Sequence, residues 1–298
     1  MWKNLHVFYC QFIDNQVRIG ELTIYKDKKL GSGMFGYVFK GTMHGKPCAV
    51  KVLHEVAMEL KFDLPTVSDD KPVQEAKLNC LEKEHKSLLE LKHPNVVELL
   101  HVCTYRQSNL PCLVMELLDC SLREYLAQTS EYLQFETQIS LSCDIAKALA
   151  YLHEMMMIHR DLCGDNILIQ LGNAIPTAKI ADFGMSRIID PEKMTHSVSV
   201  LGHRKGYLPP EGPYKDYDLS LDIHMFGAIM VQIVHAVQDI KSPEIRRELI
   251  DRISENHPLK KIIKSCVVVA KDDRPTAESI SAELQNLLLD ITNYTYTH

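Results

Sequence analysis

No apolar run in the 298 residues reaches the roughly 18–20 residues that cross a bilayer as a helix, so no membrane span is expected. Leu5 to Ile13 is weakly apolar, but His6 and Gln11 interrupt it and no small-residue cleavage site follows, which argues against a signal peptide. Cysteine is present but not patterned. The nine cysteines are odd in number and lack any C-x-x-C spacing, which speaks against a disulfide framework or a zinc site and for reduced thiols in a cytoplasmic protein. Positive charge is not in excess: 33 Lys and Arg face 39 Asp and Glu, a net charge of −6, so nucleic acid is not expected as a partner. With only 13 Gly, 13 Pro and no repeat or low-complexity tract, collagen-like and disordered readings fall away. What remains is an ordinary globular composition, 46% apolar and 24% charged, with enough chain for a sizeable core and a soft prior of two domains.

Strand-like segments concentrate early, in LTIYKDKKL, YVFKG, PCAVKVL, VVELLHV and PCLVMEL. Helical periodicity dominates after Ser121: Phe135 to His153, Leu219 to Val234 and Thr276 to Leu289 carry apolar residues three and four apart. Strands first and helices second predict an α+β chain with a small antiparallel-sheet lobe of five strands and one helix, then a larger, mainly helical lobe. Residues 1–21 read as an extension and 291–298 as a frayed tail. The most loop-like early segment runs from Asp63 to Pro72.

Gly31-Ser32-Gly33-Met34-Phe35-Gly36 has the G-x-G-x-x-G spacing, which alone is weak. A dinucleotide fingerprint would need a helix next; here a second strand follows, so the glycines sit at a hairpin tip where backbone N–H groups can approach phosphate oxygens. Lys51 lies in Cys48-Ala49-Val50-Lys51-Val52, where alternation alone would send it to solvent. Leu81, Glu84 and Leu88 share one face of a helix expected from about Lys77 to Leu91. Glu84 thus interrupts an apolar stripe and calls for a cationic partner, for which Lys51 is the candidate. Downstream come His159-Arg160-Asp161-Leu162 with Asn166, then Asp182-Phe183-Gly184 sixteen residues on (182 − 166), then Pro209-Pro210-Glu211.

In this order and spacing the motifs resemble those of the eukaryotic protein kinase family, from about Leu22 to Leu289. DFGMSR, YLPPEG and KDDRPTAESISAEL are most similar to the tyrosine-kinase-like group. The resemblance implies a domain over 22–290, with an N-lobe over 22–116, a hinge over 116–120 and a C-lobe over 121–290. It implies ATP and Mg²⁺ as cofactors and a protein as substrate. Gly31, Ser32, Gly33 and Gly36 would cover the phosphates, and Val38, Ala49 and Leu168 would sandwich adenine. Met115 would be the gatekeeper, with Glu116 and Leu118 offering hinge backbone groups. Lys51, held by Glu84, would touch the α- and β-phosphates. Asn166 and Asp182 would hold Mg²⁺, and Asp161 would accept the substrate hydroxyl proton. Glu211 would pair with Arg274, and Asp222 would brace the catalytic-loop backbone.

Four departures stand out. Cys163 occupies the place of the usual serine/threonine-kinase lysine, and Asp165 a place where tyrosine kinases often carry arginine. The loop therefore lacks a cation and gains an anion, and Cys163→Lys is expected to raise kcat roughly tenfold. The usual Thr before the PPE region is missing. Lys51 and Glu84 are 33 residues apart (84 − 51), which reads as an insert. His224 stands where Trp is common and reads as a packed, neutral side chain. Thr195, Ser197 and Ser199 offer hydroxyls whose phosphorylation would pair with Arg160. Phosphoryl transfer to a Ser/Thr hydroxyl is the favoured reading. A tyrosine or dual-specificity kinase and a nucleotide-binding pseudokinase or scaffold are the alternatives.

Overall fold

The early β-branched and aromatic segments pair into one sheet. The computed structural model describes residues 7–8, 10–13, 16–32, 36–53, 88–105, 110–129, 132–188, 196–197, 205–211 and 216–296. The chain divides into two compact units, Met1–Lys92 with Val97–Leu118, and His93–Val96 with Asp119–His298.

The first unit is built on β1 (Val7–Phe8), β2 (Cys10–Ile13), β3 (Gln16–Ile19), β4 (Leu22–Ser32), β5 (Gly36–Met43), β6 (Lys46–Leu53), β7 (Leu99–Tyr105) and β8 (Leu110–Met115). They form an eight-stranded sheet in the order β1-β7-β8-β6-β5-β4-β3-β2. The five expected strands are β4 to β8. The remaining three come from the supposed extension: β2 and β3 form a hairpin that continues onto β4, and β1 runs parallel to β7 with Val7 opposite Thr104. This corrects the five-strand expectation and the reading of residues 7–19 as separate from the domain. Gln11, Gln16 and Arg18 dilute the apolar signal, yet Ile19 is fully buried. A single residue separates Phe8, at one end of the sheet, from Cys10, at the other. β1 and β2 therefore stand at opposite ends of the sheet order although they are neighbours in sequence.

In the second unit α1 (Leu122–Gln128) follows the short strand β9 (Cys120–Ser121). Its start is a capping box: Ser121 Oγ accepts from Glu124 N at 3.2 Å, and the Glu124 carboxylate accepts from Ser121 N at 2.8 Å. The long α2 (Phe135–Glu154) buries Ile139, Ile145, Leu149 and Leu152 and packs along α6 (Ala277–Tyr296). α3 (Ser220–His235) is buried on every side from Leu221 to Val234, as an apolar helix at the centre of a core must be. α4 (Pro243–Arg252) and α5 (Lys260–Cys266) surround it. The expected fraying after Asp290 is corrected as well: α6 continues to Tyr296, since neither Pro nor Gly interrupts its hydrogen-bond ladder. Between α2 and α3 run β10 (Met157–Ile158), β11 (Ile167–Gln170), β12 (Thr177–Ile180), β13 (Arg187–Ile188), β14 (His196–Ser197) and β15 (Asp216–Tyr217). Asn95 fixes the segment His93–Val96 to β12, accepting from Ile180 N at 2.8 Å and donating Nδ2 to Ala178 O at 3.0 Å. Among the described residues no helix is long and apolar enough to cross a membrane.

Candidate active site

In the first unit the register builds one functional face. Gly31 stands opposite Val38, Val38 opposite Lys51, and Lys51 opposite Leu113; one step along, Ala49 stands opposite Met115. Because side chains alternate by two along a strand, these residues share a face. Lys51 is only 7% exposed, so the solvent-facing reading fails: β6 is buried on both faces from Cys48 to Leu53. Gly36 is required where it stands, since a Cβ there would lie 2.0 Å from Val52 O. Met115 is buried and Val38 and Leu118 are half-buried. Glu116 N–H donates to Glu98 O at 3.0 Å, and its carboxylate accepts from Glu98 N at 2.8 Å. Gly33 and Glu84 lie outside the described residues, as do Thr195 and Ser199; Ser197 is described only as part of β14.

In the second unit the loop from His159 to Asn166 connects β10 to β11. Asp222 organises it from within α3. Its Oδ2 accepts from His159 N at 2.7 Å and lies 3.2 Å from His153 Nε2, while its Oδ1 accepts from Arg160 N at 2.9 Å. Burial alone would push this carboxyl up, but the hydrogen bond and charge of His153, with the main-chain N–H of His159, outweigh it and hold it below the usual carboxylate range. His159 has a defined tautomer: Nε2 donates to Ala181 O at 3.0 Å, leaving Nδ1 as the acceptor facing Asp161 N at 3.4 Å. The Phe183 ring meets His159 edge-on, with centroids 5.1 Å apart.

Asn166 joins the predicted residues. Its Nδ2 donates to Asp161 O at 2.7 Å and to Asp161 Oδ2 at 2.9 Å, and its main-chain carbonyl accepts from Ala181 N at 2.9 Å. Asp182 follows directly, with left-handed backbone at φ 62° and ψ 75°. Arg160 is also left-handed, at φ 70°. Such conformations cost of order 1–3 kcal/mol each and persist where surrounding contacts enforce them. Asp161, Asn166 and Asp182 are thus brought together, with Leu168 half-buried two residues on in β11. Asn166 and Asp182 present side-chain oxygens, hard donors that suit Mg²⁺, a cation that completes its shell with water and phosphate.

The two departures in the loop resolve differently. Cys163 is fully buried, which fits a small structural residue and overturns the expectation that a lysine there would serve the site. Asp165 is paired, with Oδ1 2.9 Å from Arg123 Nε. Glu211 and Arg274 form the expected fork, at 2.8 and 2.9 Å. His224 is buried as expected; burial, then the Arg246 and Arg274 charges, push its pKa down to about 2. Sequence reasoning missed Arg246, whose Nη1 donates to Gly206 O at 2.6 Å and Leu208 O at 3.0 Å; in the charged run EIRREL nothing marks it out.

A family model, protein tyrosine and serine/threonine kinase, matches residues 24–284. The chain belongs to the protein kinase family. This kinase is similar to a probable serine/threonine-protein kinase of Dictyostelium discoideum, 27% identical over 93% of this chain and 30% of that protein. It is similar to tyrosine-protein kinase SRK3 of Spongilla lacustris, 31% identical over 91% of this chain and 77% of that protein. Tyrosine-protein kinase Fer of Rattus norvegicus is 35% identical over 72% of this chain and 23% of its own length. The chain thus spans under a third of the Dictyostelium relative and most of the sponge one. Its motifs and its two units agree with the α+β fold of the kinase family.

Proposed function

We propose that this chain transfers the γ-phosphoryl group of ATP, with Mg²⁺, to a Ser or Thr hydroxyl of a protein. The observation that carries the reading is Asn166: its amide nitrogen is spent on Asp161, which orients that carboxylate and turns the Asn166 oxygen toward a cation-ligand role beside Asp182. Asp161 then accepts the proton of the attacking hydroxyl, and Lys51 neutralises charge on the α- and β-phosphates. Mg²⁺, held by Asn166 and Asp182, supplies neutralisation of the phosphate oxygens when bound. Gly31, Ser32, Gly33 and Gly36 contribute backbone N–H groups to the phosphates, and Val38, Ala49, Met115, Glu116, Leu118 and Leu168 the adenine site. Cytoplasmic residence is part of the reading, supported by seven described cysteines that form no disulfide.

A tyrosine substrate is the second reading, supported by the names of SRK3 and Fer. The test is autophosphorylation with ATP and Mg²⁺ followed by mapping of the modified residue. Phosphoserine or phosphothreonine supports the first reading and phosphotyrosine the second. Lys51→Met and Asp182→Asn are expected to abolish transfer without altering the thermal melt. Wild-type turnover in either variant at saturating ATP would overturn the assignment.

A further inference from the structure

A residue outside the motifs holds the catalytic loop. Arg123 lies in the first turn of α1, and its backbone N–H donates to Gly164 O at 3.0 Å. Its Nε lies 2.9 Å from Asp165 Oδ1, an ion pair that lacks the alignment of a hydrogen bond. Its Nη2 lies 3.4 Å from Asp239 Oδ1. The Tyr207 hydroxyl is within 3.3 Å of that same Asp239 oxygen and 2.9 Å from Gln232 Oε1. Gln232 is fully buried against the loop: a Cβ on Gly164 would lie 2.5 Å from its Nε2. Arg123 therefore touches the loop twice, by main chain at Gly164 and by side chain at Asp165, and ties it to the segment after α3.

The Arg123 and Asp165 side chains are 39% and 40% exposed, and pairs so open to solvent add little to global stability. What the pair changes is local. Asp165 is four residues from Asp161 and adjacent to Asn166, on the loop expected to face phosphate. A carboxylate released from Arg123 would bring negative charge to that loop and remove one of its anchors.

We propose that Arg123 is a positioning residue for the catalytic loop, holding the Asp165 carboxylate onto α1 so that Asp161 and Asn166 keep their geometry. The inference rests on the kinase reading given above. The experiment compares wild type, Arg123→Ala, Asp165→Asn and the double variant, by steady-state kinetics and by amide hydrogen exchange over residues 161–166. Contacting charges couple strongly enough that Arg123→Ala is expected to lower kcat roughly tenfold, with the KM for ATP within about twofold. Asp165→Asn breaks the same anchor and is expected to lower kcat by a similar factor, with the double variant no slower than either single variant. A residue that only packs α1 would leave Asp165→Asn at the wild-type rate. Losses that multiply in the double variant, or a wild-type rate in Asp165→Asn, overturn the proposal. A wild-type chain that transfers to no hydroxyl overturns the kinase reading instead. The exchange data then decide: Arg123→Ala and Asp165→Asn must each speed exchange over 161–166, and unchanged exchange in either overturns the proposal.

Discussion

Removing the Asp222 carboxylate should strongly destabilise the second unit. Asp222 is fully buried, and it is the acceptor for two consecutive main-chain donors, His159 N at 2.7 Å and Arg160 N at 2.9 Å. Each hydrogen bond to a charged group contributes about 1.5–3 kcal/mol, so Asp222→Ala forfeits about 3–6 kcal/mol. A water entering the vacated space recovers part of that and brings the expected loss to about 3–4 kcal/mol. The same contacts keep Arg160 at φ 70°. Without them the residue is expected to relax toward ordinary backbone and carry Asp161 with it. Against a total stability of about 5–15 kcal/mol this is a large share. Denaturant unfolding at neutral pH should show a lower midpoint at unchanged slope. Asp222→Asn is the sharper test: it keeps the volume but turns an amide N–H against a backbone N–H, so it should cost nearly as much as Ala. The sign with pH follows from the lowered pKa. The stabilisation is present above the unfolded carboxylate pKa and is lost as pH falls through the lower folded value. A loss under about 1 kcal/mol for both variants, at neutral pH, would refute the bracing argument.

Gly206→Ala should destabilise by roughly 3 kcal/mol or more, because the added Cβ would lie 1.8 Å from Ile240 O; a thermal melt within a degree or two of wild type would contradict that close approach. Cys163→Lys should lower the melting temperature and not accelerate transfer, because the side chain it replaces is fully buried and a buried ammonium costs several kcal/mol; a stable, faster variant would show that position 163 opens toward the site. His224 has a folded pKa of about 2, far below its unfolded value, so its contribution is intact above about pH 6.5 and erodes as pH falls below that, when only the unfolded chain takes up the proton. His224→Leu should therefore flatten the loss of stability between about pH 6 and 4 by up to one proton's worth, about 1.4 kcal/mol per pH unit; an unchanged slope in denaturant titrations would mean the ring is not the buried neutral base described.

The parts legible from sequence were those whose signal is local. Motif spacing marked Asp161, Asn166 and Asp182, and three-and-four periodicity placed α2, α3 and α6 to within a few residues, save for the C-terminal reach of α6. Asp222 and the Glu211–Arg274 fork were reached through the resemblance. Alternation misjudged Lys51 because it assumes one wet face, and β6 has none. Strand β1 could not be read because its two residues gain their meaning from β7, 97 positions away (104 − 7). Arg123 lies 42 positions before Asp165 (165 − 123) in a helix of ordinary composition, and only the fold makes them neighbours. The departures were visible as residue types, but their consequence was not: the burial of Cys163 and the pairing of Asp165 with Arg123 are set by the fold and by no spacing rule.

The separate partners of β1 and β2 set a timetable for synthesis. The hairpin of β2 and β3 can form as soon as residue 19 has emerged, but β1 has nothing to pair with until Thr104 and Tyr105 follow. At about 5–20 residues per second the nascent chain carries that unsatisfied strand for roughly 5–20 s. Throughout that interval its main-chain donors and acceptors are open to any other extended chain, a standing invitation to mispairing. Chaperone dependence during translation is therefore expected to concentrate in the first hundred residues. A chain trimmed to begin at Leu22 would escape the wait but would leave the outer edges of both β4 and β7 permanently exposed.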